Sequence, residues 1–268
     1  MSKITALFCF LLLSFNTVVA EEAIDPTELA RAVRISAFTE IAPGLEYRQV
    51  NLKEPRSVSM MQLRCDPKKV KFNLLLASDL KTGKKTASAE KMAKKFGQLA
   101  VINSSYFGHN LEILGYAERL GHVLNPDVSS SSLFSAFFYW DGGRAGLKQR
   151  GESLPKNVPV LFQSGPRLVW DSQVIPGLEK KAKANRSGVA IDAQGRVILF
   201  AIGSTSRVTL AELPDILLRS EEAGGVDAVR ALNFDGGSST QFYVKTKKKT
   251  ANLPGFVHVP VFLGVSKR

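Results

Sequence analysis

The sequence predicts an α+β fold: a single domain of mixed, largely antiparallel β-sheet with a few packed helices. Three observations carry that expectation. Short apolar runs of strand character recur along the 268 residues, each bounded by Gly, Pro, Asn or Asp. Only a few stretches have helical spacing instead. No internal repeat, low-complexity linker or shift of composition divides the chain, so one layered domain accounts for it.

Taken in order, residues 21–41 begin polar, with Asp25-Pro26 as a start signal and Leu29, Ala30 and Val33 on one side of a short helix. Residues 45–52, 58–64 and 70–77 are strands broken by Lys53-Glu54-Pro55-Arg56 and Cys65-Asp66-Pro67, which suggests a meander. Residues 86–96 are the clearest helix, with Ala89, Met92, Ala93 and Phe96 on one face and Gly97 placed to stop it. Residues 99–102 form a strand that delivers Asn103-Ser104-Ser105-Tyr106-Phe107. Further strands are expected at 133–140, before the turn Asp141-Gly142-Gly143, and on either side of Ser164-Gly165-Pro166. Residues 189–192 and 197–202 read as a hairpin through Ala193-Gln194-Gly195. Thr209 and Glu212 have capping-box spacing ahead of Leu213, Ile216 and Leu217, although Pro214 limits where that helix can start. Strands at 229–234 and 257–265 complete the chain. Residues 21–98 thus supply strands and a helix to the same globular unit as residues 99–268.

Met1-Ser2-Lys3, the apolar run 4–15 and the small residues Val18-Val19-Ala20 have the form of a signal peptide over residues 1–20, cut after Ala20. An uncleaved anchor is the alternative. Cleavage predicts a periplasmic or secreted protein with no stable membrane span, and it leaves Cys65 as the only cysteine, so no internal disulfide forms. The net charge is +12, from 36 Lys and Arg against 24 Asp and Glu. The lysines are scattered without aromatic interleaving, which argues against a nucleic-acid platform; such a surface is drawn to anionic envelope glycans, phosphorylated polymers or lipid head groups, and an anionic or phosphorylated glycan is the expected partner.

Several constellations fail on order or spacing. Ser88 and Lys91 match S-x-x-K, but Lys81-Thr82-Gly83 precedes them where penicillin-binding proteins place K-T-G far downstream. No G-x-S-x-G elbow, P-loop or dinucleotide fingerprint is present, so no cofactor is implied. His109, His122 and His258 make no ligand pattern, and the metal question stays open.

The most informative stretch is Asn233-Phe234-Asp235-Gly236-Gly237-Ser238-Ser239-Thr240. An apolar strand ends in a carboxylate, two glycines and three hydroxyls, as a binding turn would. A plain β-hairpin with a return strand at 241–244 is the alternative, since Asp-Gly between apolar runs is a hairpin signal. Asn103 with Tyr106, Gly165-Pro166, and Arg186 ahead of residues 188–192 also follow or open strands. If those ends converge, an amide, a guanidinium, hydroxyls and Asp235 share one site. Arg186 then binds phosphate through its planar fork; a surface salt bridge is its alternative.

In this order, residues 99–265 resemble the phosphodiester glycosidase family. The motif from Asn233 to Ser239 is the most specific part of the likeness, with Asn103, Tyr106-Phe107, Gly165-Pro166, Arg186 and the helix from Thr209 beside it. Ser104-Ser105 replaces the family's usual glycines after Asn103, and two glycines follow Asp235 rather than three. The resemblance implies a hydrolase of a sugar-1-phosphodiester. Asp235 is then the catalytic carboxylate, with Glu112 as second carboxylate, and Asn103, Tyr106, Arg186, Gly236, Gly237, Ser238 and Ser239 bind substrate. A non-catalytic envelope protein binding anionic polysaccharide and a metal-assisted phosphodiesterase are the competing expectations.

Overall fold

The computed structural model of the protein describes residues 34–53, 57–203, 205–247 and 250–268. The expected leader at 1–20 and the helix face at Leu29, Ala30 and Val33 lie outside the described residues. The end of that expected helix is extended, with a strand at Thr39–Ala42.

Every strand pairing among the described residues is antiparallel. Helix there is confined to α1 (Ala89–Phe96), α2 (Glu212–Leu217) and two 3-10 turns, Ala77–Leu80 and Gly237–Ser239. The fold is therefore more β-rich than the α+β expectation, and it holds three sheets instead of one mixed sheet. The largest is nine-stranded, with Leu45–Leu52, Val58–Cys65, Val197–Ile202, Arg186–Asp192, Ala228–Asn233 and Arg167–Trp170 side by side. A five-stranded sheet runs Ala145–Gln149, Ala136–Trp140, Val160–Ser164, Ala117–Arg119, His122–Asn125. Another runs Thr250–Leu253, Phe242–Lys245, Ala100–Asn103, Val261–Lys267, Val70–Leu76.

Alternation along the strands explains how three sheets share one core. In Val197–Ile202, Val197, Leu199 and Ala201 face the central core, while Ile198, Phe200 and Ile202 face the opposite side, where α2 covers them with Leu213, Ile216 and Leu217. In the sheet that holds Ala100–Asn103, Ile102, Phe242 and Leu263 face the same central core. Val101, Tyr243 and Phe262 face α1 through Ala89, Met92 and Ala93. Strands buried on both faces read as nearly continuous apolar runs. An aromatic series crosses the centre, with ring centroids 5.7 Å apart for Phe72 and Phe138, 5.6 Å for Phe138 and Phe162, and 5.4 Å for Phe162 and Phe234.

Three sequence expectations change here. The meander is only half present: Leu45–Leu52 pairs with Val58–Cys65, but Val70–Leu76 pairs with Val261–Lys267 in another sheet. Val70, Phe72 and Leu74 enter the central core there, and the Trp140 indole donates to the Pro67 carbonyl at 3.1 Å, which fixes the chain where it crosses over. The strands flanking Gly165-Pro166 also belong to different sheets, Val160–Ser164 to a five-stranded one and Arg167–Trp170 to the largest. The third change concerns the alternative hairpin after Asn233. Ala228–Asn233 pairs with Arg186–Asp192, whereas Phe242–Lys245 pairs with Ala100–Asn103, so the Asp235 turn is a crossing between sheets.

Other local readings hold. Arg186–Asp192 and Val197–Ile202 form the expected hairpin, and Thr209 and Glu212 exchange both capping-box bonds, at 3.2 and 2.7 Å. Ser88 caps α1 by accepting the Lys91 N–H at 3.2 Å, and Gly97 ends it at φ +62. Ser88→Ala should therefore cost about 1 kcal/mol in denaturant unfolding, the usual loss for an N-cap, while leaving any hydrolytic rate unchanged. A lost rate at full stability would revive the S-x-x-K reading.

Candidate active site

The strand ends at Asn103, Ser164, Arg186 and Asn233 come together, and the three sheets meet at the Asp235 turn. Asp235 is held through its backbone: its N–H donates to the Ser104 carbonyl at 3.0 Å, and its own carbonyl accepts from the Asn103 amide and from the Ser187 hydroxyl at 3.0 Å. Phe234, fully buried at the end of the aromatic series, anchors the preceding residue, and its N–H donates to the Ser187 carbonyl at 2.8 Å. With backbone and neighbour fixed, the carboxyl group is the part of Asp235 left to act.

That carboxyl is poised near neutrality. Burial pushes its pKa up to about 6, against the opposing pull of the Ser239 hydroxyl and the Gly236 N–H. Arg186 lies beside the next residue, Gly236. Its Nε and one terminal nitrogen donate to the carbonyls of Val208 and Ala182, at 3.2 and 2.9 Å, and burial holds its pKa below the ordinary arginine value. The other terminal nitrogen stands 3.7 Å from where a Cβ on Gly236 would be. Gly236 is required by proximity, since that Cβ would also lie 3.0 Å from the Asn185 carbonyl. Gly237 is required by conformation, at φ +60.

Tyr106 ties the two charged groups into one locality. Its phenol donates to the Gly165 carbonyl at 2.7 Å and accepts from the Asn233 amide at 3.2 Å, and its ring packs on Phe134. Its pKa is raised well above the ordinary tyrosine value, first by burial and then by the charge of Asp235, while the Asn233 hydrogen bond and Arg186 oppose the rise. A carboxylate and a guanidinium thus both act on one buried phenol.

The remaining expectations divide. Ser239 is buried and supports the carboxyl, whereas Ser238 is exposed. Asn103 is only 1% exposed; besides holding Asp235, its amide oxygen accepts the Gln241 N–H at 3.1 Å. It positions the motif instead of presenting itself to a ligand. Glu112 makes no hydrogen bond to Asp235 among the described residues. It is exposed, its carboxylate folds over Gly108, and it lines a separate cavity of about 650 Å³ with Leu76, Asn125 and Asp127. The carboxylate whose charge reaches Arg186 is Glu179, on the wall of a cavity of about 410 Å³ that includes Pro166 and Arg167.

Ser187, Asn233 and Glu179 were not legible as site residues. Asn233 donates to Tyr106, to the Gly165 carbonyl at 3.2 Å and to the Phe234 carbonyl, so it couples the two sheet crossings. Its place directly before Phe234-Asp235 was the signal available. Ser104 and Ser105, which depart from the usual glycines, are both buried; Ser104 receives the Asp235 N–H on its carbonyl, and the Ser105 hydroxyl donates to the Gln163 carbonyl at 2.9 Å. Among the described residues no group of three or more His, Cys, Asp or Glu could hold a metal ion, and no helix is long and apolar enough to cross a membrane.

A profile of the phosphodiester glycosidase family matches residues 96–266, which contain every group just described around Asp235. The chain belongs to the phosphodiester glycosidase family. Among solved structures it is similar to a hypothetical protein from Synechocystis, with a TM-score of 0.66 and 16% identity over 86% of this chain. The chain spans 63% of that protein's length. It is also similar to the zebrafish N-acetylglucosamine-1-phosphodiester alpha-N-acetylglucosaminidase catalytic domain auto-inhibited by pro-peptide, with a TM-score of 0.62, 17% identity and 88% of each chain covered. A putative exported protein from Burkholderia pseudomallei matches at a TM-score of 0.54 and 11% identity, over 78% of this chain and 74% of that one. No curated protein matches significantly. At these identities the likeness to the solved structures concerns the fold, and the chemistry rests on the residues.

Proposed function

We propose that the protein is an exported hydrolase that cleaves a sugar-1-phosphodiester on the glycosidic side, acting on a phosphorylated envelope glycan or a related compound. The observation that carries this reading is a buried carboxyl group of pKa about 6 with the Arg186 guanidinium beside the next residue, Gly236, at the meeting point of three sheets. Ionised Asp235 takes a proton from the water that attacks the anomeric carbon, the bond between that carbon and the phosphate oxygen breaks, and the phosphomonoester leaves toward Arg186. A phosphate leaves readily, so the missing partnership with Glu112 does not stop the reaction; Glu112 drops out of the assignment. Asn103, Asn233 and Tyr106 position the motif, Gly236 and Gly237 give close backbone approach, and Ser238 and Ser239 complete the rim. Export rests on the leader expected at residues 1–20, and the description of the Burkholderia relative as exported supports it.

The test is product analysis in ¹⁸O-labelled water with a panel of sugar-1-phosphodiesters. Glycosidic cleavage gives a free sugar carrying the label and an unlabelled phosphomonoester. Sugar phosphate plus alcohol would establish the phosphodiesterase instead, and intact bound ligand the binding protein. Arg186→Lys should lower kcat/KM on the order of 100-fold with a phosphodiester, because the planar fork is lost where leaving-group charge develops. An aryl glycoside of the same sugar, whose leaving group is not a phosphate, should lose far less; equal losses would remove Arg186 from phosphate binding.

A further inference from the structure

Beyond the two glycines that follow Asp235 lies a small cavity of about 300 Å³, of whose lining the chemistry above uses only Gly237 and Ser238. Asn185, Gly237, Ser238, Lys183, Arg207 and Phe256 line it. Its floor is polar and incomplete: Asn185 is 5% exposed, and its side-chain oxygen has no hydrogen-bond partner. A buried acceptor left unpaired is unfavourable unless something supplies a donor. Its rim is cationic, since Lys183 and Arg207 are both exposed and neither enters an ion pair among the described residues. Its side wall is aromatic. Phe256 is 69% exposed, and its backbone N–H is tied to the Ser238 carbonyl at 3.0 Å, so the ring is tethered to the motif itself.

We infer that this cavity is a subsite for an acidic sugar residue of the ligand. The three features ask for one kind of molecule. Sugar hydroxyls meet the polar wall that Ser238 and Asn185 form, the flat C–H face of a pyranose covers the Phe256 ring, and a carboxylate or phosphate on that sugar meets Lys183 and Arg207. A neutral sugar would satisfy the first two and leave the cations in water. A free inorganic anion would satisfy only the cations. Because Ser238 is separated from Asp235 by Gly236 and Gly237 alone, the acidic residue sits next to the reacting bond, on the side of the departing phosphate. The inference depends on the proposed hydrolysis only in placing that residue in the leaving group.

The test is a binding titration of the full-length protein in the Asp235→Asn background, followed by the fluorescence of a Phe256→Trp reporter. Trigalacturonate, glucose 6-phosphate, maltotriose and inorganic phosphate are the probes. At least one of the two acidic saccharides should change the reporter's emission saturably, with an affinity at least tenfold above that for maltotriose. Whichever of the two binds tighter identifies the charge as carboxylate or phosphate. Lys183→Ala with Arg207→Ala should remove that preference. Equal affinity for maltotriose and the acidic saccharides, a preference that survives the double substitution, or inorganic phosphate binding as tightly as the sugars would overturn the assignment. None of these readouts requires turnover, so a failure to hydrolyse phosphodiesters leaves the result interpretable.

Discussion

Replacing Asp235 with Asn should lower kcat/KM on the order of 10³-fold while making the protein more stable above neutral pH. The two effects share one origin. Burial raises the pKa of Asp235 from 3.8 to about 6 in the folded protein. A carboxyl group with a raised folded pKa favours the fold fully below its unfolded pKa near 4, and that advantage is lost as pH rises through 6. At pH 8 the ionised group therefore destabilises the native state, by about 2–3 kcal/mol from a shift of this size. Urea unfolding at pH 8 should show the Asn variant gaining roughly that amount, and unfolding at pH 4 should show almost no gain. The wild-type pH profile of kcat/KM should climb to a plateau above about pH 6, the limb of an essential base. Full activity in the Asn variant would remove the assignment, and a variant that is inactive but equally destabilised at both pH values would point to lost structure instead.

Gly188→Ala should be the most disruptive small substitution near the site. A Cβ at this position would stand 2.4 Å from the Leu232 carbonyl and 2.5 Å from the Phe200 ring, one the backbone of the adjacent strand and the other a fully buried side chain. Neither can yield without moving the sheet, so the expected loss is about 3 kcal/mol in urea unfolding. Gly188 pairs with Asn233, and its neighbour Ser187 holds both Phe234 and Asp235. The variant that does fold should therefore also lose turnover, chiefly in kcat, because the strain is delivered to the carboxyl group and not to the ligand. An unchanged unfolding midpoint would show that the strand spacing relaxes more easily than its packing indicates.

Much of the local structure was readable in advance. The apolar spacing of Ala89, Met92 and Ala93, the stop at Gly97, the capping pair Thr209 and Glu212 and the hairpin at 186–202 are all set by neighbours in the chain. Pairing between distant strands was not readable. Val70–Leu76 and Phe242–Lys245 each follow a nearby strand and an evident turn, yet both join partners far away in the chain. A continuous apolar run reports that both faces are buried; it does not report what buries them. The same limit shaped the site. Asp235, Arg186 and Tyr106 stood out in the sequence because strand ends with charged or aromatic groups invite function, and the fold gathers those strand ends. The backbone bonds of Asn103 to Asp235 and Gln241 were not readable, since an amide that holds backbone and one that holds substrate look alike in sequence. Glu112 was chosen by position along the chain, and Glu179 was passed over although it precedes Arg186 by one loop, whose Ala182 bonds to both of them.

Asp235 receives its backbone support from Ser104 and Asn103 at the end of a strand in one sheet and from Ser187 at the start of an interior strand of another, with the Phe162–Phe234 contact reaching into the third. A keystone of this kind cannot be inherited in pieces. No segment bearing a single sheet carries a weaker version of the chemistry, so recombining halves of related proteins at crossover points between the sheets should give soluble chimaeras without activity far more often than partly active ones. Substitutions that keep the proposed chemistry should then fall in loops away from the junction.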